Sequence, residues 1–314
     1  MTVAAALLLY VLVVLAAGPK LLLRITVDGG APRLGIAAWL TAIVTVLGCS
    51  IAAMALLLLE AAGHWDSPDA LVVSCLERLQ SILLGHSGWL AEVVATVAVA
   101  MAVGGLIAVC VRAGRALSRM RADTLAHADA VRLVGRSDGN DVVIMEAAEP
   151  AAYCVAGRPP AIVVTTATLA ALDRTQLAAV VAHERAHLDG RHAYIVAAVR
   201  GLGIALSKIR LFTHAAAEVC SLLEMCADDA AARRHGHQPL LAGLLTLSGA
   251  AAPSHGLAAA RVAVLVRAER LKDPQQGLAQ MRTRLKLSGA VTAMAVTPFT
   301  IIALSVSGAL ICFA

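Results

Sequence analysis

Residues 183–187 read His-Glu-Arg-Ala-His. On an α-helix four residues turn about 400°, so the two imidazoles leave one face about 6 Å apart. Two rings at that spacing can grip one tetrahedral zinc ion. Glu184 can reach water at such a metal without being a ligand, which is the division of labour in HExxH. The pattern fixes only three positions and also arises by chance on exposed helices. A third ligand and a suitable setting are therefore required.

Two residues compete for third ligand. His192 lies close by, and Gly190 fits the longer pattern HExxHxxGxxH, but Ala193 stands where that pattern has its last histidine. His192 is accordingly read as a group behind the ligands or at the surface. Glu224, 37 residues after His187 in EMCADDAAARR (224–234), is the better candidate. Asp228 is one helical turn further on, placed to accept the free ring N–H of a ligating histidine and so set its tautomer. The plainer alternative makes Glu224, Asp228 and Asp229 a solvated face balanced by Arg233 and Arg234. Two histidines, one glutamate and an open position make a gluzincin-type site for one Zn2+. An oxyanion stabiliser is needed as well, and His192, His235 and His237 are all available.

The elements carrying these residues follow from local signals. Asp173 with Gln176 is a capping box that starts a helix over 174–188, stopped by Gly190. The apolar run LAAVVAH before the motif buries this helix, and buried polar groups need partners. Further helices are expected over 191–209, 215–235, 239–250 and 257–272, with 115–135 ending at Gly135. The runs 141–145, 152–155 and 161–165, separated by turn residues, predict a small antiparallel sheet. An extended substrate is expected to pair with an edge near 161–165.

The surroundings of this unit are unusual. The chain has 314 residues, 59% hydrophobic, 15% charged and 3% aromatic, with mean hydropathy +0.79. Soluble domains are nearer 25% charged. Four uncharged runs hold the excess, at 1–19, 34–59, 93–111 and 287–314. Each approaches or exceeds the roughly 20 residues that cross a bilayer. No Lys or Arg precedes the first run, so it reads as a retained helix and not a cleaved signal. The expected spans are 2–19, 34–59, 90–112 and 287–314, with 60–89 as an outer loop.

Charge orients them. The loop after the first span is net +2, residues 60–92 are net −4 and residues 112–286 are net +7, within a total of +5. Positive loops stay in the cytoplasm. Residues 113–286 are thus expected there, with both termini outside the plasma membrane. The arginines at span ends explain the basic balance, and direct contact with nucleic acid is not expected. The seven cysteines show no metal-ribbon spacing and read as small apolar residues.

The fold expected is therefore a mainly α membrane protein. Four transmembrane helices carry a cytoplasmic α+β gluzincin-type zinc protease domain between spans three and four. The HExxH helix preceded by TTATLAALDRTQLAAVVA, the later E-x-x-x-D helix and the placement between spans resemble the BlaR/MecR-type antibiotic-sensor metallopeptidases. The HtpX-type enzymes, related to the CAAX prenyl proteases, are similar too. The resemblance implies that His183, His187 and Glu224 bind zinc and that Glu184 is the catalytic base. It further implies cleavage of a cytoplasmic protein, a DNA-binding repressor, in a response to antibiotic or cell-wall stress. HtpX-like quality control of membrane proteins is the alternative, and a catalytically silent receptor or scaffold the third. The sensors carry an external penicillin-binding domain after the last span, whereas this sequence reaches Ala314 at the fourth run. Sensing is therefore expected through the spans, the outer loop or a partner, which includes a second copy in a homodimer.

Overall fold

The computed structural model describes residues 2–63, 89–138, 141–250, 257–273 and 277–307. Most of the expected outer loop lies outside these residues, as do Cys75, Cys312 and the end of the fourth run.

Helix α1 (Thr2–Thr26) and helix α2 (Pro32–Gly63) form an antiparallel pair. Pro32 opens α2, where its missing N–H costs nothing. Between them Gly29 has φ +59, and a Cβ there would stand 2.4 Å from Met225 Sδ. Only glycine supplies both the turn and the close approach. Helix α3 (Trp89–Val134) is continuous for 46 residues, about 69 Å at 1.5 Å per residue. It joins the expected third span and the expected 115–135 helix in one rod. Its far end carries the sheet through Ala128 and Val131, packed with Val143, Val155 and Val163.

The sheet comprises β1 (Arg136–Ser137), β2 (Val142–Met145), β3 (Ala152–Val155) and β4 (Ala161–Thr165), in the order β1-β2-β4-β3. It is mixed, not antiparallel: β2 runs parallel to β4, while β1–β2 and β3–β4 are antiparallel. All five residues of β4, AIVVT, are buried. A continuous apolar run suits a central strand covered on both faces, so β4 sits inside and β3 takes the edge. The substrate edge expected at 161–165 is thereby corrected to 152–155, because β4 has a neighbour on each side.

Helix α4 (Thr166–Ala171) leads into α5 (Arg174–Asp189), α6 (His192–Ala205) and α7 (Arg210–His235), followed by α8 (His237–Ala250), α9 (Leu257–Lys272) and α10 (Leu278–Val306). Two cores hold them. One is large and joins α7 to the long apolar helices: Leu7, Leu22, Trp39, Phe212, Leu222 and Leu287 are all essentially inaccessible. The other is small and alanine-rich, with Ala179 and Ala182 of α5 against Ala231 and Ala232 of α7. Small side chains let helix axes come close, which brings side chains of α5 and α7 to a common point.

Three helices, Val3–Thr26, Pro32–Leu59 and Leu278–Ser305, are long and apolar enough to cross a membrane. Helix α6 is apolar but short.

Candidate metal centre

Helix α5 begins as its capping box requires. Asp173 Oδ1 accepts the backbone N–H groups of Thr175 and Gln176 at 2.8 Å each, and Gln176 Oε1 accepts the Asp173 N–H at 3.2 Å. Such a cap contributes about 1 kcal/mol and fixes the phase of the helix, which buries His183 beside Ala179, Val180 and Ala182.

Glu224 of α7 meets both histidines. Its carboxylate oxygens stand 3.5 Å from His183 Nε2 and 3.5 Å from His187 Nε2, and the two Nε2 atoms are 3.1 Å apart. One ligand atom from each of the three residues falls within 4.8 Å of the others. In a tetrahedral zinc site with bonds of 2.0–2.1 Å, neighbouring donors are about 3.4 Å apart. The three donors already have that spacing, so the residues fit the ion.

Each histidine is braced from behind. Asp228 Oδ1 lies 3.0 Å from His183 Nδ1. The carboxylate favours the protonated ring at this distance. On the other ring, His192 Nδ1 is 2.8 Å from His187 Nδ1. The chain reverses through Arg191, at φ 50, and folds His192 back over Gly190, where a Cβ would come within 2.3 Å of the His192 ring. Both Nδ1 atoms thus face protein partners, which leaves the Nε2 atoms for a metal.

A residue not singled out in the sequence completes the cluster. Arg267 of α9 forks onto Asp228, its Nε 2.8 Å from Oδ2 and its Nη2 2.7 Å from Oδ1. Its Nη1 lies 3.0 Å from Glu224 Oε2. Burial disfavours ionised carboxyls, but His183 and this guanidinium outweigh it and hold Glu224 and Asp228 down to about 2. Burial likewise opposes a charge on His183, yet Asp228 and Glu224 raise its pKa to about 9. His187, where burial prevails, falls to about 4. Arg267 shares a helix face with Leu271, four residues on and 2% exposed. A cation on a buried face was the available signal.

Glu184 points to the same side. Burial raises its pKa above the ordinary carboxylate value, and the backbone N–H and thiol of Cys154 act against that rise. The Cys154 thiol, itself buried beside this carboxylate, is pushed up to about 12 and stays protonated. Cys154 is therefore a neighbour of the expected base and not merely a small apolar residue; nothing in its spacing announced that. A cavity of about 340 Å³ opens between β3 and α8 and is lined by Ala152, His183, Glu184, Glu224, Leu244 and Arg267. His192, His235 and His237 do not line it. His192 backs His187, His235 is exposed at the end of α7, and His237 lines a separate hollow with Asp229 and Arg270. Arg267 is the cation that faces the cavity.

The edge beside this cavity has a defined hydrogen-bonding state. Thr165 N–H donates to Ala151 C=O, and antiparallel pairing alternates. Ala152 and Cys154 accordingly turn their backbone groups away from β4, toward α5.

Residues 118–252 match the model of Peptidase family M48. That span holds the sheet, the HExxH helix and Glu224. No curated protein and no solved structure matches the chain.

Proposed function

We propose that the chain is a membrane-embedded zinc endopeptidase. The observation that carries this is the spacing of His183 Nε2, His187 Nε2 and the Glu224 carboxylate, with Glu184 on the same cavity. The M48 match to the surrounding residues supports it. Bound by these three residues, zinc supplies Lewis acidity toward a peptide carbonyl and toward water. Glu184, its pKa raised by burial, takes a proton from water and returns it to the leaving amine nitrogen. Arg267 offers N–H donors to negative charge gathering on the carbonyl oxygen. Ala152 on the free edge of β3 gives an extended chain a backbone N–H and C=O to pair with. Peptide in that orientation runs across Glu184.

Four spans place the peptidase domain in the cytoplasm and both termini outside, α3 forming the third with the run 93–111. The net charges of +2, −4 and +7 along the chain support this orientation. The substrate is a cytoplasmic protein, and a DNA-binding repressor in a cell-wall or antibiotic stress response is the first choice. The M48 match supports a second reading equally, HtpX-like quality control of membrane proteins. The test compares new protein N-termini in cells expressing wild type or Glu184→Gln, with and without cell-wall stress. Termini confined to one repressor under stress support signalling, and termini scattered over membrane proteins support quality control. A profile identical in both strains sinks both readings.

A further inference from the structure

The back of the HExxH helix faces a second cavity, of about 570 Å³, that the peptidase reading leaves unused. Arg33, Arg233 and Arg234 line it, with His192 and the single acid Asp189. A neighbouring hollow of about 250 Å³ shares Arg233 and adds Arg270 and Arg284. Arg270 is committed to Asp229, 2.8 Å away, and to the Gly29 carbonyl. Arg33, Arg233, Arg234 and Arg284 form no ion pair among the described residues. Arg233 and Arg234 have an ordinary reason to stand where they do, since cations favour the C-terminal turn of α7. Arg33 has the opposite setting. It lies in the first turn of α2, where the helix dipole disfavours a cation, and it faces two further arginines. Three like charges around one hollow are stabilised by an anion between them.

The two hollows together also have a particular position. Gly30 and Arg33 lie at the α1–α2 turn and Arg284 in the first turns of α10. These are the ends of the three helices apolar enough to cross a membrane. The walls include Ile36 of α2 and Ile195 of α6, so the cavity is basic at its mouth and apolar along its side. Basic pockets between the cytoplasmic ends of spans suit phosphate headgroups.

We infer that the hollow of Arg33, Arg233 and Arg234 binds a phosphate group, that of an anionic phospholipid whose acyl chain lies along α2. The lipid as source rests on the membrane placement proposed above, whereas the anion site does not. His192 lines the same cavity and stands 2.8 Å from His187, so the cavity adjoins the candidate metal centre from behind.

The test is a thermal-shift titration of the full chain in neutral detergent with short-chain phosphatidylglycerol, and separately with inorganic phosphate. It needs neither zinc nor cleavage, so it fails or succeeds independently of the peptidase reading. Phosphatidylglycerol raises the unfolding midpoint of the wild type. Arg33→Gln/Arg233→Gln/Arg234→Gln weakens its apparent Kd about a hundredfold, which is roughly 1 kcal/mol for each arginine. Arg119→Gln/Arg121→Gln, on exposed α3, leaves it within about twofold. Equal far-ultraviolet circular dichroism and equal size-exclusion profiles of all three proteins verify the fold. A phosphate shift matching that of the lipid keeps the anion site and replaces the lipid by a soluble anion. No shift in the wild type, or equal weakening in both variants, overturns the site.

Discussion

His183 stands among Asp228, Glu224 and Arg267, and its proton decides how metal enters. With a pKa of about 9 it is protonated at neutral pH, while His187, near 4, is already neutral. Zinc binding at pH 7 therefore releases about one proton, and affinity rises about tenfold per pH unit up to pH 9. Calorimetry in two buffers of different ionisation enthalpy measures this, and binding without proton release would contradict a charged His183. The sign for metal-free stability follows. A raised histidine pKa stabilises fully below the ordinary value of 6.5 and ceases to do so as pH rises through about 9. Arg267 has a different test. Its side chain is 13% exposed and neutralises the buried Asp228 carboxylate and the partly exposed Glu224 carboxylate. Arg267→Ala should cost about 3–5 kcal/mol of stability, and Arg267→Lys should recover part of that without the bidentate fork. Chemical unfolding reads both, and a neutral Arg267→Ala would remove the guanidinium from the account. The His183–His187 pair was legible because helical spacing is a property of the local chain, and Glu224 was put forward by its i,i+4 pairing with Asp228; the fold brings the three together. Arg267 comes from 39 residues beyond Asp228 and carries no spacing signal toward it.

Elements explain what local reading misses. The ends of α5 were legible in Asp173, Gln176 and Gly190, since caps are made by neighbours in sequence. The sheet was not. Alternation and turn residues identify strands but leave the partner of each open, so β4 was taken for an edge when its five buried residues put it inside. The edge at β3 makes a sharp prediction. Ala152→Pro removes one outward N–H from an edge strand, a position that tolerates proline. Losing one substrate hydrogen bond worth 0.5–1.5 kcal/mol should lower kcat/KM about three- to tenfold, with zinc content unchanged. Unaltered kinetics would place the substrate elsewhere. The α5–α7 contact predicts a packing effect. Ala179, fully buried, has no room for a larger side chain. Ala179→Leu should destabilise by about 1–3 kcal/mol and weaken zinc binding, because it pushes His183 away from Glu224.

The candidate metal centre does not stand apart from the apolar helices. Helix α7 carries Glu224 and Asp228 at one end and Phe212, Val219 and Leu222 along its length, all packed with α1 and α2. Gly29, Arg270 and Asp229 tie the same region together. A strain at the α1–α2 turn is therefore felt at the site. Gly29→Ala forces a side chain into positive φ and against Met225, and should lower stability in detergent by about 1–3 kcal/mol. Three of the four apolar runs were legible as candidate membrane helices because length and lack of charge suffice. Their packing against α7 was not, because α6 and α7 present their apolar faces only once folded. The most direct test uses the full chain, wild type and Glu184→Gln, purified in detergent. Metal content is measured beside cleavage of an unfolded protein. The account predicts about one zinc per chain in both proteins and cleavage by the wild type alone, with a loss of at least 10²-fold in the variant. Equal cleavage by both, or a wild type that binds no zinc, would contradict it.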